Sequence, residues 1–206
     1  MKELDSPQVG HEPVVRADPA TNDAWLVHEV RDGRTAAFGE LVRRYQRKAM
    51  RIAYRFLRDW AGAEDVVQDA MLKAYDRLET FDTSKRFGPW LFRIVVNQSL
   101  DALRRTKRRR SRETDGLTDG RVGVTVDPGR RLKQQDLRRQ VHAIIDKVPT
   151  KYRTVLILRD LEGFSCSEIA AIVKRREATV RWRLSRARQM FRRLWTRHRA
   201  SEEQIQ

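Results

Sequence analysis

The apolar residues Phe38, Leu41, Val42, Tyr45, Ala49, Ile52, Ala53 and Phe56 recur at steps of three and four. That is the period of an α-helix, and it predicts one long amphipathic helix. A second series, Val67, Ala70, Met71, Ala74 and Leu78, predicts another helix beginning near Ala63. Ahead of both, NDAWLVHEV reads as a short helix capped by Asn22 or Asp23, and RDGRTA as a turn. TFDTSKRFG breaks the period. PWLFRIVVNQSLDALRR restores it, with Pro89 placed for a first helical turn.

The period is lost again at Thr106. TKRRRSRETDGLTDGRVGVTVDPGRR holds Gly, Pro, Asp and Arg without apolar repetition. A stretch of about 25 such residues is long for a loop inside one compact domain and predicts a linker. Beyond it, LKQQDLRRQVHAIIDKV is helical and stops before Pro149. PTKYRTVLILRDLEG is a helix that Gly163 ends. SCSEIAAIV is a short helix in which Ser165 and Glu168 have the spacing of a capping box. KRREA turns, and a basic helix follows. No β-alternation of useful length occurs.

The expectation is an all-α fold of two small helical domains joined by a flexible linker. Residues 1–21 read as a disordered arm, 22–105 as the first domain, 106–131 as the linker, 132–197 as the second domain and 198–206 as a tail.

Charge sharpens this outline. Forty-four Lys and Arg against 28 Asp and Glu give a net charge of +16 over 206 residues. Such an excess favours a polyanionic partner through phosphate neutralisation and counterion release. No apolar run approaches the roughly 18 residues of a membrane span, so membrane insertion is not expected. The N-terminus has no apolar core of a signal peptide. Cys166 is the only cysteine, and His11, His28, His142 and His198 are scattered, so neither a disulfide nor a metal site is expected. The reading is a cytoplasmic protein without cofactor or metal. Cys166 is open to two readings, a redox sensor or a small packing residue.

Three segments carry candidate chemistry. In TVRWRLSRAR and the residues that follow it, Val180, Leu184, Ala187, Phe191 and Leu194 form one stripe at about 100° per residue. Trp182, Ser185, Arg186, Gln189 and Arg193 fall opposite, with Arg181, Arg183 and Arg188 on the flanks. A solvated basic face is one reading. The tryptophan at its centre favours the other, a helix that lies in a nucleic-acid groove. The capped short helix, tight turn and basic helix together make a helix-turn-helix, whose second helix enters the major groove.

On the second long helix Asp65, Asp69 and Asp76 share one side. They form either a solvated acidic face or, in so basic a chain, the docking face for a basic protein. Phe81, Phe87 and Trp90 bracket the polar loop DTSKR. Either these aromatics are core, or they form a pocket that captures an unstacked base. Asn97 offers a donor and an acceptor to a base edge. Arg104, Arg105, Lys107 and Arg108 would neutralise phosphates.

These motifs resemble a known family. Val148-Pro149, Arg153, Leu156, Leu158-Arg159-Asp160-Leu161-Glu162-Gly163, Ser165, Glu168-Ile169-Ala170 and TVRWRLSRAR resemble domain four of bacterial sigma factors. FGELVRRYQRKAMRIAYRFL, AEDVVQDAMLKAY and PWLFRIVVNQSLDALRR resemble domain two. No middle domain separates them, a layout similar to the extracytoplasmic-function group. Ala178 and Trp182 depart from the family, which usually has Gly before TVR and a small residue after it. Cys166 stands where an aromatic is frequent, and Met71 where Phe is. Promoter preference therefore does not carry over.

The resemblance implies a non-enzymatic subunit that binds core RNA polymerase and directs promoter recognition, local melting and initiation. It assigns docking on the β′ coiled coil to Glu64, Asp65, Gln68 and Asp69, with the β subunit as a further contact. It assigns the minus-ten element to Phe81, Asp82, Thr83, Ser84, Lys85, Arg86, Phe87, Asn97, Arg104 and Arg105. The minus-thirty-five element falls to Arg159, Thr179, Arg181, Trp182, Arg183, Ser185, Arg186 and Arg188. Arg181 and Arg186 are expected at or near bases, and Arg159, Arg183 and Arg188 mostly at phosphates. The linker is either a tether or, by resemblance, a filler of the polymerase channel. Members of the group are often held by an anti-sigma factor. The competing classes are a helix-turn-helix activator and a DNA recombinase. The recombinase would need a nucleophile within an arginine or metal constellation, and no such set is visible.

Overall fold

The structure is a computed structural model, and it describes residues 22–112 and 130–203. Eight α-helices make up these residues: α1 (Asp23–Arg31), α2 (Ala36–Leu57), α3 (Trp60–Asp76), α4 (Phe87–Arg112), α5 (Arg130–Lys147), α6 (Thr150–Leu156), α7 (Cys166–Val173) and α8 (Glu177–Glu203). No strand occurs among the described residues. The expected arm at 1–21 and the central part of the expected linker, 113–129, lie outside them.

Local chemistry sets the helix ends. The Asn22 side chain accepts the Ala24 N–H at 3.0 Å and opens α1. Asp59 does the same for Gly62 at 3.1 Å and starts α3 at Trp60, one turn earlier than the apolar period indicates. Ser165 and Glu168 exchange both bonds of the expected capping box at the start of α7. Gly163, at φ +76°, ends the α6 segment in the left-handed region open to glycine. That segment is not one uniform helix, because its last turn, Ile157–Leu161, widens to π geometry.

The first region is a bundle of α2, α3 and α4 with α1 against it. Ala49, Ala53, Ala63, Ala70 and Ala74 are fully buried and let the backbones approach closely. Arg31 donates to the Leu78 carbonyl at 2.7 Å and to the Phe81 carbonyl, tying α1 to the turn after α3. Space is tight at Gly88, where a Cβ would stand 3.0 Å from the Tyr45 ring. In the second region α6 and α7 pack on α8 around Val155, Leu158, Ile169, Ile172, Val180 and Ala187.

Two boundaries differ from the sequence expectation. The expected linker spans 106–131, yet α4 continues through Arg112 and α5 begins at Arg130. Lys and Arg are good helix formers, so a run of them extends a helix even without apolar repetition. Likewise α8 runs to Glu203, past the expected end at 197.

The two regions also share one continuous apolar cluster. Phe164 meets the edge of Phe92 on α4 at 5.3 Å, and Lys48 stands 3.9 Å above the Phe164 ring. Beside it, the Glu162 carboxylate is 1% exposed and takes Arg51 at 3.2 Å and Arg55 at 3.3 Å from α2.

Candidate nucleic-acid and polymerase interfaces

The acidic face of α3 is open. Glu64, Asp65, Gln68, Asp69 and Asp76 are all exposed, while Val66, Val67, Ala70 and Met71 are buried behind them. Glu64, Asp65 and Asp69 make no ion pair among the described residues. Leu72 is exposed in their midst. A face of uncommitted carboxylates around an apolar centre can receive a basic, partly apolar protein surface.

The loop ahead of α4 is ordered by its own residues. Asp82 accepts the Ser84 N–H at 3.0 Å and the Ser84 hydroxyl at 2.6 Å, and Lys85 lies 2.9 Å away. These hydrogen bonds, from the Ser84 hydroxyl first and then Lys85, pull the Asp82 carboxyl down to about 2. Ser84, Lys85 and Arg86 are exposed and Thr83 is half-buried.

The bracketing aromatics lie elsewhere than a base pocket requires. Phe81 and Phe87 are buried with half-buried Trp90, at centroid distances of 4.8, 5.4 and 5.7 Å, and Tyr45 touches Phe87 from α2. They form a floor beneath the loop, and the core reading of these side chains is the one their packing supports. A base arriving here would meet the loop's polar rim. Asn97 is exposed on α4, about 15 Å along the helix from Phe87 at 1.5 Å per residue. Arg104 and Arg105 follow, Arg104 paired with Asp101 at 3.0 Å.

The second region closes one side of this loop. Arg86 reaches Glu168 of α7 at 3.0 Å, and a cleft of about 580 Å³ lies between Thr83–Phe87, Arg44, Lys48 and Phe164. The Ser165 backbone N–H bond, more than the Arg86 cation, holds the Glu168 carboxyl below its ordinary range.

On α8 the structure sorts the expected basic face into two groups. Trp182, Ser185 and Arg186 point outward, and Arg181 with them, paired to Glu177 at 2.6 Å. Arg188 instead grips Asp160 with two bonds at 3.0 and 2.5 Å. Arg159 donates to the Phe164 carbonyl at 2.8 Å, bracing the turn that meets α4. The Nε of Arg183 is buried without a hydrogen-bond partner. Thr179 is half-buried near the start of the helix. The outward group forms one surface; Arg159 and Arg188 are exposed too but hold partners within the second region, and Arg183 is half-buried.

The comparisons identify the family. Residues 41–109 match the model of Sigma-70 region 2, and 138–191 match that of Sigma-70 region 4. The chain is 31% identical to the ECF RNA polymerase sigma factor SigW of Bacillus subtilis, over 81% of this chain and 92% of that one. This chain belongs to the ECF sigma factors of the sigma-70 family. The ECF RNA polymerase sigma-E factor of Escherichia coli (strain K12) is 35% identical over 81% of this chain and 91% of its own. Among solved structures, CnrH in complex with the cytosolic domain of CnrY superposes with a TM-score of 0.65 at 28% identity, covering 85% of this chain and 97% of that one.

As an ECF sigma factor the chain is a non-catalytic subunit that directs RNA polymerase to promoters. None of its helices among the described residues is long and apolar enough to cross a membrane.

Sequence reading missed the contact between the regions. Its signal was present: Lys48, Arg51, Arg55 and Arg58 repeat at steps of three and four, a basic stripe along α2. Three of the four meet the second region at Phe164 or Glu162, and Arg55 also lies 3.3 Å from His142 of α5.

Proposed function

We propose that α3 docks this sigma factor on core polymerase, and that the loop before α4 and the outer face of α8 read the two promoter elements. Glu64, Asp65, Gln68 and Asp69 meet the β′ coiled coil, and the second region meets the β subunit. Asp82–Arg86 engage the melted minus-ten strand over the Phe81/Phe87 floor, with Asn97, Arg104 and Arg105 further along the same helix. Arg181, Trp182, Ser185 and Arg186 enter the groove at the minus-thirty-five element. This work belongs where polymerase and DNA are, in the cytoplasm. The complex of CnrH with the cytosolic domain of CnrY supports a further protein partner for this chain, and the family resemblance makes that partner an anti-sigma factor.

The observation that carries the reading is the exposed, unpaired carboxylate face of α3 in a chain of charge +16. A plain DNA-binding activator has no use for it, since acids repel phosphate. Asp65→Arg with Asp69→Arg is expected to abolish co-purification with core polymerase while the circular dichroism spectrum keeps its helical content. Undiminished binding by the double variant removes the assignment.

The recombinase alternative gains no support. The Tyr45 hydroxyl is bonded to Asp23 and its pKa is pushed upward, mainly by burial, which makes it a poor nucleophile.

A further inference from the structure

An exposed tryptophan on a cationic surface needs a physical reason. Trp182 is 59% exposed. It sits two residues from Val180 and two from Leu184, about 200° around the helix from each, and both of those are buried. It therefore points away from the Val180/Leu184 stripe.

Yet the ring is not loose. It lies 5.9 Å from Tyr152, tilted by 54°, and Tyr152 is itself buried under α8 with Lys151 5.0 Å from its ring. One edge of the indole is therefore braced from α6 while the rest faces out. Holding a side chain in place before binding removes part of the ordering cost at binding. Around it stand Arg181, Ser185 and Arg186, all exposed. Phosphate attraction from the arginines would press this apolar ring toward the groove floor.

The chemistry then limits what the ring can read. Indole has one donor and no acceptor, so it cannot make the paired bonds that fix guanine or adenine. In the major groove the apolar feature of a base edge is the thymine methyl.

We propose that Trp182 is a specificity-determining residue that reads a thymine methyl at one base pair of the minus-thirty-five element. This rests on the assignment of the α8 outer face to that element. The ring reads by shape and apolar contact, and Tyr152 positions it.

The test uses the full-length protein with core polymerase and a pool of duplexes randomised across the minus-thirty-five element. The native protein is expected to enrich thymine at one position, and Trp182→Ser to lose that enrichment while keeping the others. Replacing that thymine by deoxyuridine removes only the methyl. It should weaken binding by the native protein about fourfold, the value of one buried methyl-sized group, and leave Trp182→Ser unchanged. Tyr152→Leu, which keeps an apolar support but frees the ring, should show a smaller deoxyuridine effect than the native protein. The proposal is overturned if native and Trp182→Ser select the same bases, or if deoxyuridine is without effect at every position. If neither protein enriches any sequence, the assignment of α8 to DNA fails as well, and the two failures are thereby told apart.

Discussion

Phe87 and Trp182 are both aromatic residues beside cations, Phe87 after Lys85 and Arg86, Trp182 between Arg181 and Arg183, yet one is 2% exposed and the other 59%. Composition does not separate them; phase does. Leu91, Ile94 and Val95 follow Phe87 at four, seven and eight residues, so it stands in line with the buried stripe of α4. Trp182 is out of line with the stripe of α8. An aromatic in phase is held by the fold and contributes to stability. One out of phase is paid for by what it touches outside. The same difference runs through the charges: the loop before α4 is ordered by Asp82, while the outer face of α8 leaves Arg186 free of carboxylates.

The comparison breaks most easily on stability. Phe87→Ala removes a ring packed against Phe81, Trp90 and Tyr45, and is expected to cost about 3–5 kcal/mol in denaturant unfolding of the full chain. Trp182→Ser removes only one tilted ring pair, worth about 0.5–1.5 kcal/mol, and no enclosed volume. Similar losses from the two substitutions would show that phase is not what distinguishes them.

The second prediction concerns the join between the regions. Glu162→Gln removes the charge that Arg51 and Arg55 share, but both are partly hydrated, so the expected cost is about 1–2 kcal/mol, below that of a fully buried pair. In a double-mutant cycle with Arg55→Gln the coupling should reach about 1 kcal/mol. A coupling near zero would mean that the carboxylate is held by its own region alone, and that the basic stripe of α2 is solvated.

The helices and their caps were legible in the sequence because they depend on local spacing, as with Asn22 and the Ser165/Glu168 box. So was the split of α8 into a buried stripe and a basic face. The partners of individual charges were not. Arg186 and Arg188 lie two residues apart on one helix, and nothing nearby in sequence tells that Asp160, 28 residues before Arg188, will hold it. The aromatics before α4 were ambiguous for a related reason. Phe81 and Phe87 flank a polar loop, and only the arrival of Tyr45 from α2 and Trp90 closes them into a core. The burial of Glu162 is equally invisible locally, since its arginines come from a helix more than a hundred residues away.

The smallest effect separates two arginines of one helix by their dependence on salt. Each phosphate neutralised by a cation adds about 0.9 to the slope of log affinity against log salt. Arg186 has only a 3.2 Å bond to the Gln189 amide and keeps its full charge for DNA, so Arg186→Ala should flatten the slope by about one unit unless it reads a base instead. Base reading would add a loss of preference at one position. Arg188 brings its charge already matched by Asp160, whose carboxylate holds the guanidinium firmly protonated. Arg188→Ala should therefore change the slope by well under one unit. Asp160→Asn supplies the converse: it releases Arg188 without moving it far, and should steepen the slope by up to about one unit. Equal flattening by Arg186→Ala and Arg188→Ala, with no change from Asp160→Asn, would mean that the Arg188–Asp160 pair opens on DNA. Arg188 would then rejoin the phosphate contacts expected from its place on the flank of α8.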